Sequence, residues 1–369
     1  MRTKKTVLSG SNTPQMGGSI RVPIDICKVG TLGQPRHLNI EKKRVALSAT
    51  LVLIKAKENC CERYLKHVLD SDYLNSQIYS VITGATRPAL GIQQIRKFKL
   101  PFPPLMVQLQ ISRFLDRKTD KLDEAISIKE KQIELLRERK QIIIQQAVTQ
   151  GLNSNAPMKD SGVDWIGDIP EHWEIKRLKY VLDERNERSK TGEEPLFMMS
   201  QVHGLVVRAD FHDKAEVAAS NVDNKIVYKN DLVFNKLKAH LGVFFKSNID
   251  MEGLVSPDYA VYKPKAFISD LKLLEILFRN PKYIEQFIIR ATGIVEGLIR
   301  LYTDDLFDIS VPVAPESEQH EILKFIDIES QKFDRAIQIQ SQQIEKLKEY
   351  KTTLINSAVT GKIKVPSVA

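Results

Sequence analysis

The side chains with the clearest chemical potential are basic and amide groups that gather where strand-like stretches end. In the later part of the chain these are Lys225, Lys229, Asn235, Lys236, Lys238 and His240, then Arg290 and Arg300. An earlier stretch carries Arg36, Lys42, Lys43, Arg44, Arg87, Arg96 and Lys97. Cationic side chains neutralise phosphates, and Asn, Arg and Lys reach base edges, so the pattern suits a nucleic acid. A solvated basic face explains any single one of these residues equally well.

Catalytic chemistry finds no comparable support. No phosphate loop of the form GxxxxGK[ST] and no HExxH occur, and the seven histidines are scattered. Ser256-Pro257-Asp258-Tyr259 has the outline of the (Asn/Asp/Ser)-Pro-Pro-(Tyr/Phe) motif of amino-methyltransferases. It lacks the second proline, and no glycine-rich cofactor loop precedes it. Glu296 and Asp304/Asp305 could form paired carboxylates but read better as solvated loop acids. We expect no catalytic residue, no metal and no cofactor.

Composition narrows the class. A chain of 369 residues with 42% hydrophobic content is long enough for two or three domains with real cores. No run of 18 apolar residues spans a membrane. The opening MRTKKTVLSGSNTPQMGGS has no apolar core of a signal peptide and reads as disordered. Cys27, Cys60 and Cys61 form neither a zinc pattern nor a disulfide framework, which points to the cytoplasm. The net charge of +9 permits a nucleic-acid partner without establishing one.

The elements that must position the basic residues are set by a repeat. Shifted by 211 positions, residues 114–149 lie over 325–360 without a gap, and 17 of the 36 positions are identical. Each copy carries a heptad seam with gaps alternating between three and four. In the first copy it runs through Leu115, Thr119, Leu122, Ile126, Lys129, Ile133, Leu136, Lys140, Ile143 and Ala147. In the second it runs through Ile326, Ser330, Phe333, Ile337, Gln340, Ile344, Leu347, Lys351, Leu354 and Ala358. Neither segment contains Gly or Pro, so each is expected to be one helix about 55–65 Å long. The polar exceptions recur in register, Lys129 with Gln340 and Lys140 with Lys351. Polar seam residues fix register and partner, which favours a mutual antiparallel coil over two unrelated amphipathic helices.

A globule precedes each helix. In the first, RVALSATLVLIKAK suggests a strand and YLKHVLDSDYLNSQIYSVITG one or two helices. A Gly/Pro-broken loop, a short segment and a strand should follow, ending at Pro101, Pro103 and Pro104. GLNSNAPMKDSG is a linker in composition. Trp165 and Trp173, set around Pro170, should close the edge of the second globule. There PLFMMSQ, GLVVRA, KIVYKNDLVFNK, GVFFKS and DYAVYKP read as short strands before a helix and a loop. The two globules end alike, Thr83-Gly84 matching Thr292-Gly293 and Pro101 and Pro104 matching Pro312 and Pro315. They do not begin alike. The 91 residues from Trp165 to Ser256 exceed the 47 from Met1 to Ser48 by 44, so the first globule is expected to be N-terminally truncated. Such a truncation would expose apolar surface and an unpaired sheet edge.

The order IPEHWEIKRL, a variable globule, GLIRLYTDDLFDISVPVAPESEQHEI and a long helix ending NSAVTGKI, with FKLPFPPLMVQLQI and QQAVTQGL as the earlier copy, resembles the DNA-specificity subunit of type I restriction–modification systems. The resemblance covers nearly the whole chain after about residue 40. Two departures are Val107, where the second copy has Glu318, and the missing opening of the first globule.

The resemblance implies an α+β chain: two target-recognition α/β globules separated by two long conserved helices that form an antiparallel coiled coil, with a pseudo-twofold internal repeat. It implies a first recognition domain at residues 1–104, a central helix at 105–150, a linker at 151–160 and a second recognition domain at 161–314. The distal helix would occupy 315–361 and a tail 362–369. Each globule would read one half of a split DNA target. Two methyltransferase subunits would dock on the helices, and restriction subunits with motor and nuclease activity would join. The chain itself would have no active site, and a flipped adenine would be handled by the methyltransferase. Lys225, Asn235, Lys236, Lys238, His240, Arg300, Arg87 and Arg44 are the candidate DNA contacts, with Asn235, Lys236 and Lys238 foremost. Two alternatives stay open. One is a truncated or silent subunit that binds methyltransferase and reads one half-site or none. The other is a fused enzyme, which cofactor binding by the isolated chain would reveal.

Overall fold

The computed structural model describes residues 24–27, 33–37, 48, 50–82, 89–211, 220–293 and 300–366. Two units divide the chain, one formed by residues 1–134 and 338–369, the other by 135–337. The division falls inside both long helices, so each unit holds one globule with a segment of each helix.

In the first unit β1 (Ile24–Cys27), β2 (Gly33–His37) and β3 (Leu51–Ile54) form an antiparallel sheet in the order β2-β1-β3. The strand expected over residues 44–57 is thus four residues long, and residues 44–47 lie outside the described ones. Two helices follow, α1 (Glu62–Leu69) and α2 (Asp72–Val81), broken at Asp70-Ser71. They bury Leu65, Leu69, Leu74 and Ile78 with Ile24 and Leu90. The opposite side of α1 puts Tyr64 and Val68 against Ile111, Leu115, Leu354, Ile355, Ala358 and Val359 of the long helices.

After α3 (Ile92–Ile95) the expected strand before the prolines does not form; residues 96–104 are irregular. A strand needs a ladder, and side chains take its place here. The Gln77 amide binds both backbone groups of Lys99, donating to its oxygen at 2.9 Å and accepting from its nitrogen at 2.9 Å. The Tyr64 hydroxyl lies 3.1 Å from the Pro101 oxygen, and burial pushes its pKa up to about 12. The edge groups of Lys99 and Pro101 are therefore capped, which removes a site of strand pairing. Apolar side chains beside them are nonetheless exposed: Leu100, Phe102, Leu105, Met106 and Val107.

α4 (Leu105–Gln150) runs unbroken until Gly151, whose φ of +76° suits a glycine C-cap. The second globule opens with the hairpin β4 (Met158–Asp160) and β5 (Asp168–Pro170), then β6 (Glu174–Arg177) and the turn of helix α5 (Leu178–Val181). Next come β7 (Leu182–Glu184), the hairpin β8 (Phe197–Ser200) and β9 (Gly204–Val207), β10 (Lys225–Val227), β11 (Leu232–Asn235), β12 (Phe244–Lys246), β13 (Gly253–Val255) and β14 (Tyr259–Pro264). The central sheet is ordered β12-β11-β14-β7, with β10 paired to β13 beside it. The run KIVYKNDLVFNK is two strands rather than one. Asn230 turns the chain at φ +69°, and the Asp231 carboxylate accepts the Tyr228 N–H across that turn.

α6 (Lys272–Leu277) and α7 (Pro281–Arg290) cover one face of the sheet. Phe234 stacks on Phe244 with ring centroids 4.1 Å apart, and Phe278 and Phe287 close around them. Burying rings of this size contributes about 2–3 kcal/mol each. The chain then forms α8 (Thr303–Phe307), β15 (Ser310–Val313) and α9 (Glu316–Val359). β15 pairs with β6, so the IPEHWEIKRL segment covers the root of α9. Trp173 is buried there and donates its indole N–H to Glu318 at 2.9 Å, and His172 bonds the same oxygen at 2.7 Å. Trp165 packs edge-on against Tyr283 at 4.8 Å. Glu318→Val, which installs the residue found at the matching position of the first repeat, leaves the Trp173 donor buried and unpaired. We expect a loss of about 1–3 kcal/mol on chemical denaturation of the full chain, and an unchanged midpoint would remove Glu318 from this role.

In both helices every one of the ten seam positions is buried or half-buried. The pairing is antiparallel within each unit. In the first, Lys351 Nζ bonds Asp123 at 2.6 Å and Lys129 Nζ bonds Gln340 at 3.1 Å. In the second, Lys140 Nζ bonds Asp334 at 2.7 Å. Lys140–Asp334 and Lys351–Asp123 are the same pair related by the 211-residue shift. A buried glutamine repeats in the same way. Gln319 accepts the Ser269 N–H at 2.9 Å and donates to the Phe267 and Ala314 oxygens. Gln108 accepts the Cys61 N–H at 2.8 Å and donates to the Asn59 and Pro103 oxygens. Each amide ties the loop entering a helix of its globule to the root of the long helix.

Candidate nucleic-acid interface

One end of the second globule's central sheet brings together several residues singled out by sequence. Asn235 ends β11 opposite Tyr259 at the start of β14. Its side chain caps the short 3-10 turn 236–241 by accepting the Leu237 N–H at 3.0 Å. That turn ends at Gly242, φ +57°, where an added Cβ would lie 2.6 Å from the Phe278 oxygen. The turn therefore packs directly on the α6–α7 corner and presents Lys238 and His240 outward, both exposed. The backbone of Leu301 donates to the Lys236 oxygen at 3.1 Å, which brings Arg300 to the same place. Arg300 itself is bridged to Thr292 and binds Asp258 at 2.6 Å.

Lys225 has a different position. Its side chain is 3% exposed and its ammonium lies 3.2 Å from Glu184. Burial pushes its pKa below the ordinary value, against the pull of Glu184. It is spent on the fold, so it leaves the set of surface cations. Lys236 is half-buried and shares Glu184 at 3.4 Å. Burial opposes ionisation of Glu184, but Lys236 and Lys225 outweigh it and hold the carboxyl below its usual range. Outside this end, Lys229 pairs with Asp250 and Arg290 with Gln286. Arg44, Arg87 and Glu296 lie outside the described residues.

Sequence reasoning missed Glu184, Asp258 and Tyr259. In the sequence Asp258 and Tyr259 stand out only within a methyltransferase-like motif, and the strand pairing Asn235↔Tyr259 is what places them beside the basic turn. Among the described residues no cluster of His, Cys, Asp and Glu could hold a metal ion, and no helix is long and apolar enough to cross a membrane. The arrangement offers paired and exposed basic groups with hydrogen-bonding amide and phenol groups on one surface, which is what grips phosphates and reads base edges.

The family model of the type I restriction modification DNA specificity domain matches residues 19–137. The type I restriction enzyme MjaVIII specificity subunit of Methanocaldococcus jannaschii is 24% identical over 341 residues, covering 88% of this chain and 76% of that protein. The MjaX specificity subunit of the same organism is 26% identical over 333 residues, covering 85% and 71%. A solved structure from work on complex assembly and conformational transition of the type I R-M system superposes with a TM-score of 0.69 at 16% identity, covering 94% of this chain and 85% of that one. Two globules joined to two long helices are thus a fold shared with a chain of the type I R-M system. The chain is similar to type I specificity subunits over most of its length, in the matched DNA specificity domain and in fold, which supports a DNA-recognition role.

Proposed function

We propose that the chain reads a bipartite DNA target, one half through each globule, with the paired helices setting the number of unread bases between the halves. Two methyltransferase subunits dock along the helices and restriction subunits join them, in the cytoplasm. The chain contributes recognition and no catalytic group. The observation that carries this reading is the repetition of contacts as well as of sequence. The Gln108 and Gln319 clamps, and the Lys351–Asp123 and Lys140–Asp334 pairs, attach each globule and helix in the same manner. A chain built twice in this way matches a target with two separated halves and two equivalent docking places. In the second globule Lys236, Lys238, His240, Asn235 and Arg300 supply the contacts.

A second reading has a specific observation behind it. The root of α4 exposes Leu100, Phe102 and Val107, where the second repeat covers the matching Val311 and Val313 with β6 and binds Glu318 to Trp173. In that reading only the second globule selects DNA. A methylome decides between them. The chain is expressed with its cognate methyltransferase in a methylation-free host, and modified adenines are mapped by long-read sequencing. We expect an asymmetric bipartite motif. One defined half, or its palindrome, would assign specificity to the second globule alone, and no methylation from an assembled complex would overturn both readings.

A further inference from the structure

The basic residues at the recognition surface are not alike. Lys238 and His240 stand exposed on the short turn. Arg300 is held through both its backbone and its side chain. Its backbone exchanges two hydrogen bonds with Thr292, at 2.8 and 2.9 Å, and the next residue is tied to Lys236. Leu301 is fully buried and anchors the segment from below. The guanidinium is fixed by Asp258, 2.6 Å from Nη2, and lies above the Tyr302 ring at 6.0 Å.

Asp258 is the feature that needs an account. It is 53% exposed, on a surface that meets a polyanion. A carboxylate there repels phosphates and weakens sequence-independent binding. It would be out of place if Arg300 were a phosphate grip, for which an unpaired point charge serves better. Bracing an arginine has a different use. Asp258 holds one corner of the guanidinium through Nη2 and leaves the other N–H donors of its five-donor fork available. A planar fork of fixed orientation matches the paired N7 and O6 acceptors of guanine in the major groove. The acid also penalises binding wherever the arginine finds no such acceptors.

We propose that Arg300, braced by Asp258, is a specificity-determining residue that reads one guanine of the half-site selected by the second globule. The inference rests on the DNA-reading role of that globule. Lys238 and His240 act on phosphates and set affinity, while Arg300 sets sequence.

The test selects bound sequences from a randomised duplex DNA library, using the full chain assembled with its methyltransferase subunits. Wild type is compared with Arg300→Lys, Arg300→Ala and Asp258→Asn. The wild type should return a half-site with a G·C pair that Arg300→Lys and Arg300→Ala no longer prefer, a loss of discrimination on the order of 10- to 100-fold at that position alone. Asp258→Asn should weaken the same preference. Arg300→Lys keeps the charge, so its salt dependence should match wild type, which also controls for folding. The inference is overturned if Arg300→Ala retains the whole motif. It is equally overturned if the variant weakens all sequences alike and flattens the salt slope by about 0.9, the mark of a phosphate contact. A wild type that selects no sequence at all would instead remove the reading role itself, and the inference with it.

Discussion

Aspartate at both Ile133 and Ile344 should dismantle the coil in the first unit. Both side chains are buried on the seam, in the stretch where α4 and α9 are linked by Lys129–Gln340 and Lys351–Asp123. Each change removes about 2–3 kcal/mol of apolar burial and places a carboxylate on the buried seam. The combined loss is on the order of several kcal/mol, comparable with the whole stability of a domain. Denaturation of the full chain should lose its transition for this unit, and the methyltransferase should no longer copurify. Valine at both positions is the control and should cost about 0.5–1.5 kcal/mol per site. If the double aspartate chain keeps the wild-type midpoint and still assembles, the seam does not hold the helices together.

Arg185→Met should have a similar cost for a different reason. Asp231 is almost fully buried in the turn leading into β11 and receives Arg185 Nε at 2.9 Å and Nη2 at 3.2 Å. Burial raises the Asp231 pKa above its ordinary value even against these bonds. Removing the guanidinium leaves a buried carboxylate without its cation, a cost of about 3–5 kcal/mol. The pH dependence follows from the sign of the shift. An acid whose folded pKa is raised binds its proton more tightly when folded, so it adds stability as pH falls through that value and adds none above it. Without Arg185 the folded pKa rises further. The deficit of the variant against wild type should therefore be largest at neutral pH and shrink on acidification. Replacing Asp231 by Leu in the same chain should recover much of the loss, because apolar replacement of both partners removes the unpaired charge. A deficit that grows toward acid would refute the assignment.

What the sequence by itself determined is the repeated part. A heptad seam is written in the spacing of a single segment, because one turn of helix fixes which residues share a face. Leu115 to Ala147 and Ile326 to Ala358 could therefore be placed without any knowledge of the rest. The matching polar exceptions, Lys140 and Lys351, found their acids at Asp334 and Asp123 by the same symmetry. The irregular globules yielded less. Their strands are three to six residues long, too short for alternation to separate one from two, as the turn at Asn230 illustrates. The expected strand ending at Pro101 was lost because Gln77, 22 residues away, supplies what a neighbouring strand would.

The recognition surface was legible only as a list of cations. Spacing could not tell the buried Lys225 from the exposed Lys238, since the difference is Glu184, 41 residues from Lys225. Nor could it pair Arg300 with Asp258, 42 residues apart. Such partners carry no period. Strand register and the packing of the turn 236–241 on the α6–α7 corner bring them together, and these are properties of the folded chain alone.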